Sequence, residues 1–372
     1  MLSITSPAAY LQQPGLRSRA GDLIRPHASV IRILTSPRAW QAVNPELTDS
    51  LGRAGIRWEL EYLDGECSDA AIARLRDNVV AQGADGILAV GGGRVLDTAK
   101  AAAEPLADVR LIVFATLAAT CAAWSPFAVI YNDQGGHQYG IVLTKMPVLA
   151  LVDSEVIART DVRYLKAGIV DALAKWFEFD PYQRHNPARL ALDLKVTVAH
   201  RALEVYQQFA DEAIAANEKQ RVTPGLERVI EANIVLAGLA NSIQDDMPTP
   251  GVAHAIHNRL THEPELHDLL HGEKVGYSLL IQSLLEGDGQ PDERLVALLR
   301  HYGSPLTLDA LGASAQATFK RIAGDIHFPA ASAAHLPFTI TAEKLERAFL
   351  SAQGEGESRT FPLPEERVTV RG

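Results

Sequence analysis

Cysteine is nearly absent. Cys67 and Cys121 are the only two in 372 residues, too few for a disulfide framework or a thiolate zinc knuckle. The opening MLSITSPAAYLQQPG has neither a basic start nor an apolar core, so it does not read as a secretory signal, and a cytoplasmic protein is expected. Positive charge is in deficit. A formal net charge of -10 argues against non-specific nucleic-acid binding. One stretch, residues 111–131, runs 21 residues without a charge and approaches membrane-spanning length. Its ends, LIVFAT and FAVIY, are β-branched and aromatic, and Thr116, Thr120, Ser125 and Pro126 lie between them. Two buried strands joined by a small-residue loop are expected there, with no membrane span. Internal repeats and low-complexity segments are also missing.

What is present suits a globular enzyme. Hydrophobic residues make up 47% of a chain long enough for two domains. Residues 30–36 (VIRILTS) form a short β-branched run, a first parallel strand, with a helix starting at Pro37. RWELEYLD (57–64) alternates as a strand. A Ser68-Asp69 cap opens the helical SDAAIARLRDNVVAQG. ILAV, Gly91-Gly92-Gly93 and the segment from Arg94 to Pro105 read as strand, tight turn and helix; RLIVFAT is the next strand and residues 148–157 the last strand-like piece. Strands alternating with helices predict an α/β domain with a parallel sheet. Beyond about residue 158 helical spacing dominates. The expected division is an α/β dinucleotide-binding domain at 1–158 and an all-α metal-binding domain at 159–372, ending in a loosely packed tail, GEGESRTFPLPEERVTVRG.

Five of the 12 histidines crowd into residues 254–274: His254, His257, His262, His267 and His271. Histidine is the commonest metal ligand and the usual proton carrier near neutral pH. Pro264 interrupts the stretch, so a helix, a turn near Glu263-Pro264 and a returning segment are needed to bring His254 and His271 together. They would then need an anionic third ligand. Asp171 lies in an apolar helix between AGIV and ALA, where a carboxylate is costly to bury unless paired or metal-bound. It is the best third ligand. Two imidazoles and one carboxylate leave a coordination position open, as a catalytic metal requires; zinc fits such donors and ferrous iron is an alternative. His262 and His267, beside acids, read as surface. His257 is balanced between a proton relay and a plain helix histidine.

Gly91-Gly92-Gly93 follows a strand and opens a helix, which suits a phosphate as well as it suits a simple tight turn. Leu96 stands where a GxGxxG motif would have its third glycine, and no Gly-Lys-Ser/Thr follows. Asp97 and Lys100, at i, i+3, read as a surface ion pair more readily than as a nucleotide contact.

GGGRVLDTAK, AGIVDALAKW, VAHAIHNRLT and HGEKV, in this order, resemble the glycerol dehydrogenase branch of the metal-dependent (iron-type, group III) alcohol dehydrogenases over residues 30–285, and the remainder more weakly. The resemblance implies a dehydroquinate synthase-like architecture with the site in the cleft between the domains. It implies metal ligation by Asp171, His254 and His271. Many iron-dependent relatives have a further histidine where this chain has Lys175, which favours three protein ligands and zinc. Dinucleotide contacts are implied at Gly92, Gly93, Asp97, Thr116, Thr120, Ser125, Phe127 and Tyr131.

Two departures bear on specificity. Glycerol dehydrogenases of this type carry an aspartate where Cys121 stands. ATCAAWSP, YNDQG and DIHF look closer to a branch of hydroxycarboxylate dehydrogenases, with Cys121 and Trp124 shaping the pocket. At the end of the first strand, Ser36 replaces the acid that NAD-preferring relatives tend to have, and Arg38 is near, so the balance between NAD(H) and NADP(H) leans to NADP(H). The expected function is a metal-dependent, NAD(P)-linked reduction of a small 2-oxo acid or ketone and oxidation of the matching alcohol. The metal would act as Lewis acid, with the proton passing through metal-bound oxygen, the ribose hydroxyls or His257. A homo-oligomer with a small-molecule substrate is expected, without a nucleic-acid or membrane partner. The alternatives are a glycerol or polyol dehydrogenase, a dehydroquinate synthase-like cyclase, which would need a basic cluster for a substrate phosphate, and a non-enzymatic nucleotide-binding scaffold.

Overall fold

The structure, a computed structural model, describes residues 1–358. Ten strands occur among them: β1 (Ser3–Ile4), β2 (Tyr10–Gln13), β3 (Val30–Thr35), β4 (Arg57–Tyr62), β5 (Gly86–Gly91), β6 (Arg110–Ala115), β7 (Phe127–Tyr131), β8 (His137–Val142), β9 (Leu149–Asp153) and β10 (Ile243–Gln244). Six form one all-parallel sheet in the order β2-β9-β6-β5-β3-β4. Parallel sheets are covered on both faces, and the central strands are accordingly apolar along their whole length, with every residue of GILAVG buried. Alternation sends Leu88, Val90, Ile112 and Phe114 to one core, under the first helices. Ile87, Ala89, Leu111 and Val113 go to the other, which runs on without a break into the helical half.

The helices follow the cap and period signals. Ser36 accepts from Ala39 N to open the helix Pro37–Val43, and Ser68 accepts from Ala71 N to open Asp69–Gln82. After β9 the chain is helical, with two long antiparallel members, Val162–His185 and Leu190–Glu218, at its centre. A π turn at Ala232–Leu236 interrupts the next helical run. There Asn233 is buried; it accepts from Tyr206 Oη at 2.7 Å and donates to Ala118 O at 2.8 Å. The loop after β6 is thereby tied to the helical half.

Three sequence expectations need correction, and one strand, β2, had no expectation attached. The segment 148–157 is strand only to Asp153; that carboxylate accepts from Glu155 N and starts a short helix, Ser154–Ala158. FAVIY is a strand but lies outside the main sheet. It pairs with β8, whose HQYGIV is too polar and exposed to read as a buried strand. The edge strand β2, in the part excluded as a signal, pairs with β9. GEGES, read as the start of a loose tail, closes the helix Ala342–Ser358; the rest of that segment lies outside the described residues. No helix among the described residues is long and apolar enough to cross a membrane.

Candidate active site

A cleft of about 2350 Å³ opens between the carboxyl ends of the strands and the helical half. In open α/β sheets this is where ligands bind. The expected turn falls at the foreseen place: helix Val252–Leu260, a 3-10 turn at Pro264–Leu266, then helix His271–Glu286. It returns His271 to the neighbourhood of His254. Asp171 approaches from the Val162–His185 helix, although it is 100 residues away in the chain. One donor atom from each of Asp171, His254 and His271 lies within 4.8 Å of the others. His271 Nε2 is 3.1 Å and His254 Nε2 3.4 Å from Asp171 Oδ1. Close backbone approach makes this convergence possible. A Cβ at Gly272 would lie 1.9 Å from Ala167 O, so only glycine lets the two helices meet there.

The electrostatics suit a divalent cation. Burial alone would raise the Asp171 carboxyl, but Lys175, His271 and His254 outweigh it and hold it well below the usual carboxylate range. His254 is aimed by Glu178, a residue that sequence reasoning missed. Glu178 Oε2 lies 2.8 Å from His254 Nδ1, and Oε1 accepts from His254 N at 2.8 Å. A carboxylate behind a ligating imidazole fixes its tautomer and raises its basicity. Glu178 follows Asp171 by two helical turns, so the spacing puts both acids on one face, but only the structure shows that the second is buried.

A pH dependence follows. Burial would push His254 down, but Glu178 and Asp171 raise it above its ordinary 6.5. A cation needs the neutral ring, so protons compete to a higher pH than at a free imidazole. Zinc affinity of the apoprotein is expected to climb as pH rises through and beyond that value. Glu178→Gln should move the climb to lower pH and weaken zinc binding about 10–100-fold at high pH. Zinc titrations of both proteins at several pH values measure each effect.

His257 is buried, and its ring centroid is 4.4 Å from that of His271. Burial and the two neighbouring imidazoles push it well below its ordinary value, so it stays neutral and packs against the His271 ring. His262 and His267 are exposed, as expected.

On the other wall, the helix Gly93–Ala103 starts with no side-chain cap, and Gly92 and Gly93 leave its N-terminal amides open to the cleft. A Cβ at Gly92 would press on Leu117 at 3.0 Å. Ser36, Asp97, Thr116, Thr120, Ser125, Phe127 and Tyr131 line the same cleft. The expected surface pair is instead buried. Lys100 is fully enclosed, 2.9 Å from Asp97, and its ammonium donates to the carbonyls of Ala122, Ser125 and Phe127. Asp97 Oδ2 accepts from Val129 N. The pair therefore shapes the loop that faces the cleft.

Cys121 lines the cleft, with its thiol pushed up to about 11 by burial and thus neutral. Trp124 does not face the cleft. Its ring packs towards Tyr10 and fills the space where Gly238 lacks a side chain. Of Lys175, Arg184, Lys195 and Arg259, the basic residues that a phosphate cluster in the helical half would draw on, Arg184 pairs with Asp180 and Glu286, and Arg259 with Glu263 and Asp325. Only Lys175 and Lys195 face the cleft.

The family model for iron-containing alcohol dehydrogenase matches residues 7–154. The chain is 32% identical over 364 residues to a glycerol dehydrogenase of Pseudomonas putida, covering 95% of this chain and 98% of that one. It is 31% identical over 355 residues to hydroxycarboxylate dehydrogenase A of Escherichia coli K12, covering 93% and 96%. The crystal structure of a probable glycerol dehydrogenase from Sinorhizobium meliloti 1021 matches with a TM-score of 0.83 at 28% identity, covering 95% of this chain and 98% of that one.

Proposed function

This chain belongs to the iron-containing alcohol dehydrogenase family, and from that premise we propose that it reduces small 2-oxo acids with NADPH, using zinc held by Asp171, His254 and His271. Membership makes it an oxidoreductase of CH–OH groups that uses NAD(P) and a divalent metal. The substrate, the metal's identity and the choice of cofactor are our own reading, as are the site residues and the division into units at 1–158 and 159–372. The observation that carries it is the meeting of two imidazoles and one buried carboxylate at the foot of the cleft, with Glu178 behind His254.

A bound cation would supply Lewis acidity towards the substrate oxygen, and the nicotinamide the hydride. The protein's own groups prepare for both. Asp171 stays ionised, so a donor charge is always available. Glu178 holds the His254 ring with Nε2 turned inward. His257 packs against His271 and, being neutral, adds no charge that would repel a cation. Gly92 and Gly93 would offer backbone amides to a pyrophosphate, and Thr116, Thr120, Ser125, Phe127 and Tyr131, which line the same cleft, would hold the rest of the nicotinamide cofactor.

NADPH is preferred because Ser36 is neutral, and Arg38, exposed on the cleft wall, makes no ion pair among the described residues. Arg38→Ala is expected to raise KM for NADPH about tenfold while changing that for NADH by less than about twofold, from the loss of one exposed charge-assisted contact to the 2′-phosphate. The test of the whole reading is a panel of 2-oxo acids, neutral ketones, aldehydes and polyols, run with both nicotinamides and added zinc and followed by nicotinamide absorbance. Turnover of no carbonyl or alcohol would overturn it. Polyols turned over in preference to 2-oxo acids would return the substrate to the glycerol type.

A further inference from the structure

We propose that Lys175 seats the carboxylate of the substrate beside the metal-ligand triad and so selects 2-oxo and 2-hydroxy acids over neutral alcohols. This rests on the reading of the site given above and names the residue that sets its substrate class.

Lys175 lies one helical turn after Asp171. Its side chain is only 6% exposed, yet it borders the cleft. Its ammonium is 3.3 Å from His254 Nε2 and 3.8 Å from Asp171 Oδ1. Those are two of the donor atoms that converge to hold a cation. A neutral imidazole nitrogen has one lone pair, so His254 Nε2 cannot hold a metal and accept from an ammonium together. Loading the site therefore removes the closer of the two contacts of Lys175 and leaves it the longer one to Asp171, whose charge the cation then shares, so that N–H donors on a buried ammonium are free for a further acceptor. A buried charge short of hydrogen-bond acceptors is costly, and the cleft that Lys175 borders is where a ligand carboxylate can supply one.

The charge balance points the same way. Asp171, which is in the triad, and Glu178 and Lys175, which touch it, are buried charged groups that together carry one net negative charge. A divalent cation turns this into one net positive charge. A monoanionic substrate neutralises it; a neutral polyol leaves it uncompensated in a low-dielectric pocket. Cys121 does not change the count, because its thiol is protonated. Asp245, further along the wall, is already paired with Arg189 at 2.9 Å. Lys195, buried on the same wall and held by Thr249 Oγ1 at 2.9 Å, strengthens the positive field. In a 2-oxo acid the carbonyl and carboxylate occupy adjacent carbons. The carbonyl oxygen can thus face the triad while the carboxylate meets Lys175, with no movement of the helix that carries both Asp171 and Lys175.

The test compares wild type with Lys175→Met, Lys175→Gln and Lys175→Arg as zinc-loaded enzymes. Zinc content is measured on each. Turnover is read with 2-oxobutanoate and with neutral hydroxyacetone, and oxamate binding to the complex with reduced cofactor is read by calorimetry. Lys175→Met is expected to retain zinc and to lose oxamate affinity about 10²-fold, with the same fall in the ratio of kcat/KM for 2-oxobutanoate over hydroxyacetone, mostly through KM. Lys175→Arg should recover part of both. Should Lys175→Met not fold, Lys175→Gln, which keeps length and polarity, reads the same ratio. An unchanged ratio with zinc retained overturns the proposal. Loss of zinc from Lys175→Gln also overturns it, because the lysine would then serve the ligands rather than the substrate. A wild-type enzyme that reduces neither compound fails the functional reading instead, and one that reduces 2-oxobutanoate with a ratio indifferent to residue 175 fails this inference alone.

Discussion

Asp171→Asn will remove metal and catalysis together, lowering kcat/KM by roughly 10³-fold or more, since the cation contributes several kcal/mol at the transition state. Asparagine keeps the volume and shape of a side chain that is 3% exposed, so the change isolates the charge. Two consequences separate this variant from a general disruption. His254 and His271 remain in place but lose the anionic donor at 3.4 and 3.1 Å, so zinc affinity falls even though both imidazoles are intact. Lys175, 3.8 Å from the same oxygen, loses a counter-charge inside the protein. Breaking a buried pair costs about 3–5 kcal/mol, so the midpoint of thermal unfolding should fall as well. Metal analysis, steady-state kinetics and thermal unfolding on one preparation read all three. Full activity in a metal-free Asp171→Asn preparation would remove the metal assignment.

Lys100→Met should have the second largest effect, by a different route. Lys100 is fully buried; its ammonium satisfies the carbonyls of Ala122, Ser125 and Phe127 and lies 2.9 Å from Asp97. Methionine fills most of the space but leaves three carbonyls and a carboxylate without their donor. A stability loss of about 3–5 kcal/mol is expected. The loop held by those carbonyls carries Cys121 on one side and Ser125 and Phe127 on the other, so KM for the nicotinamide cofactor and for the substrate should rise together. Zinc content should persist, since Asp171, His254 and His271 stand on helices that Lys100 does not touch. Retained metal with weakened cofactor binding is the opposite pattern to Asp171→Asn. Wild-type stability would show that the loop is held by packing alone.

Much of this architecture is legible along the chain because it is local. The β-branched run VIRILT, the alternation in RWELEY, the apolar run GILAVG, and the caps at Ser36 and Ser68 are short-range consequences of strand pleat and helix termini. The β7–β8 hairpin is harder to read, because His137–Val142 has backbone partners but little apolar surface to advertise them. Asp171 stands out as a carboxylate in an apolar helix. Glu178 and Lys175 on the same helix do not, since charges at helical spacing on a helix that ends in Asp180, Arg184 and His185 look like a solvated face until their burial is known. Lys100 misled for the same reason: an i, i+3 pair has one spacing whether it lies in water or in the core. Trp124 errs the other way, placed in the pocket by its position in a loop but turned towards Tyr10.

The sequence by itself determined the order of strands and helices, the parallel sheet and the donor types of the site, because each depends on residue identity and spacing over a few turns. Only the tertiary structure decided that Asp171 meets His254 and His271, that Glu178 stands behind one of them, and that Lys175 and Lys100 are buried charges with distinct partners. Those facts depend on how close separate helices come. That distance is set by contacts such as Gly272 against Ala167 O and Asn233 against Ala118 O, which join residues more than a hundred positions apart and leave no periodic trace in the chain.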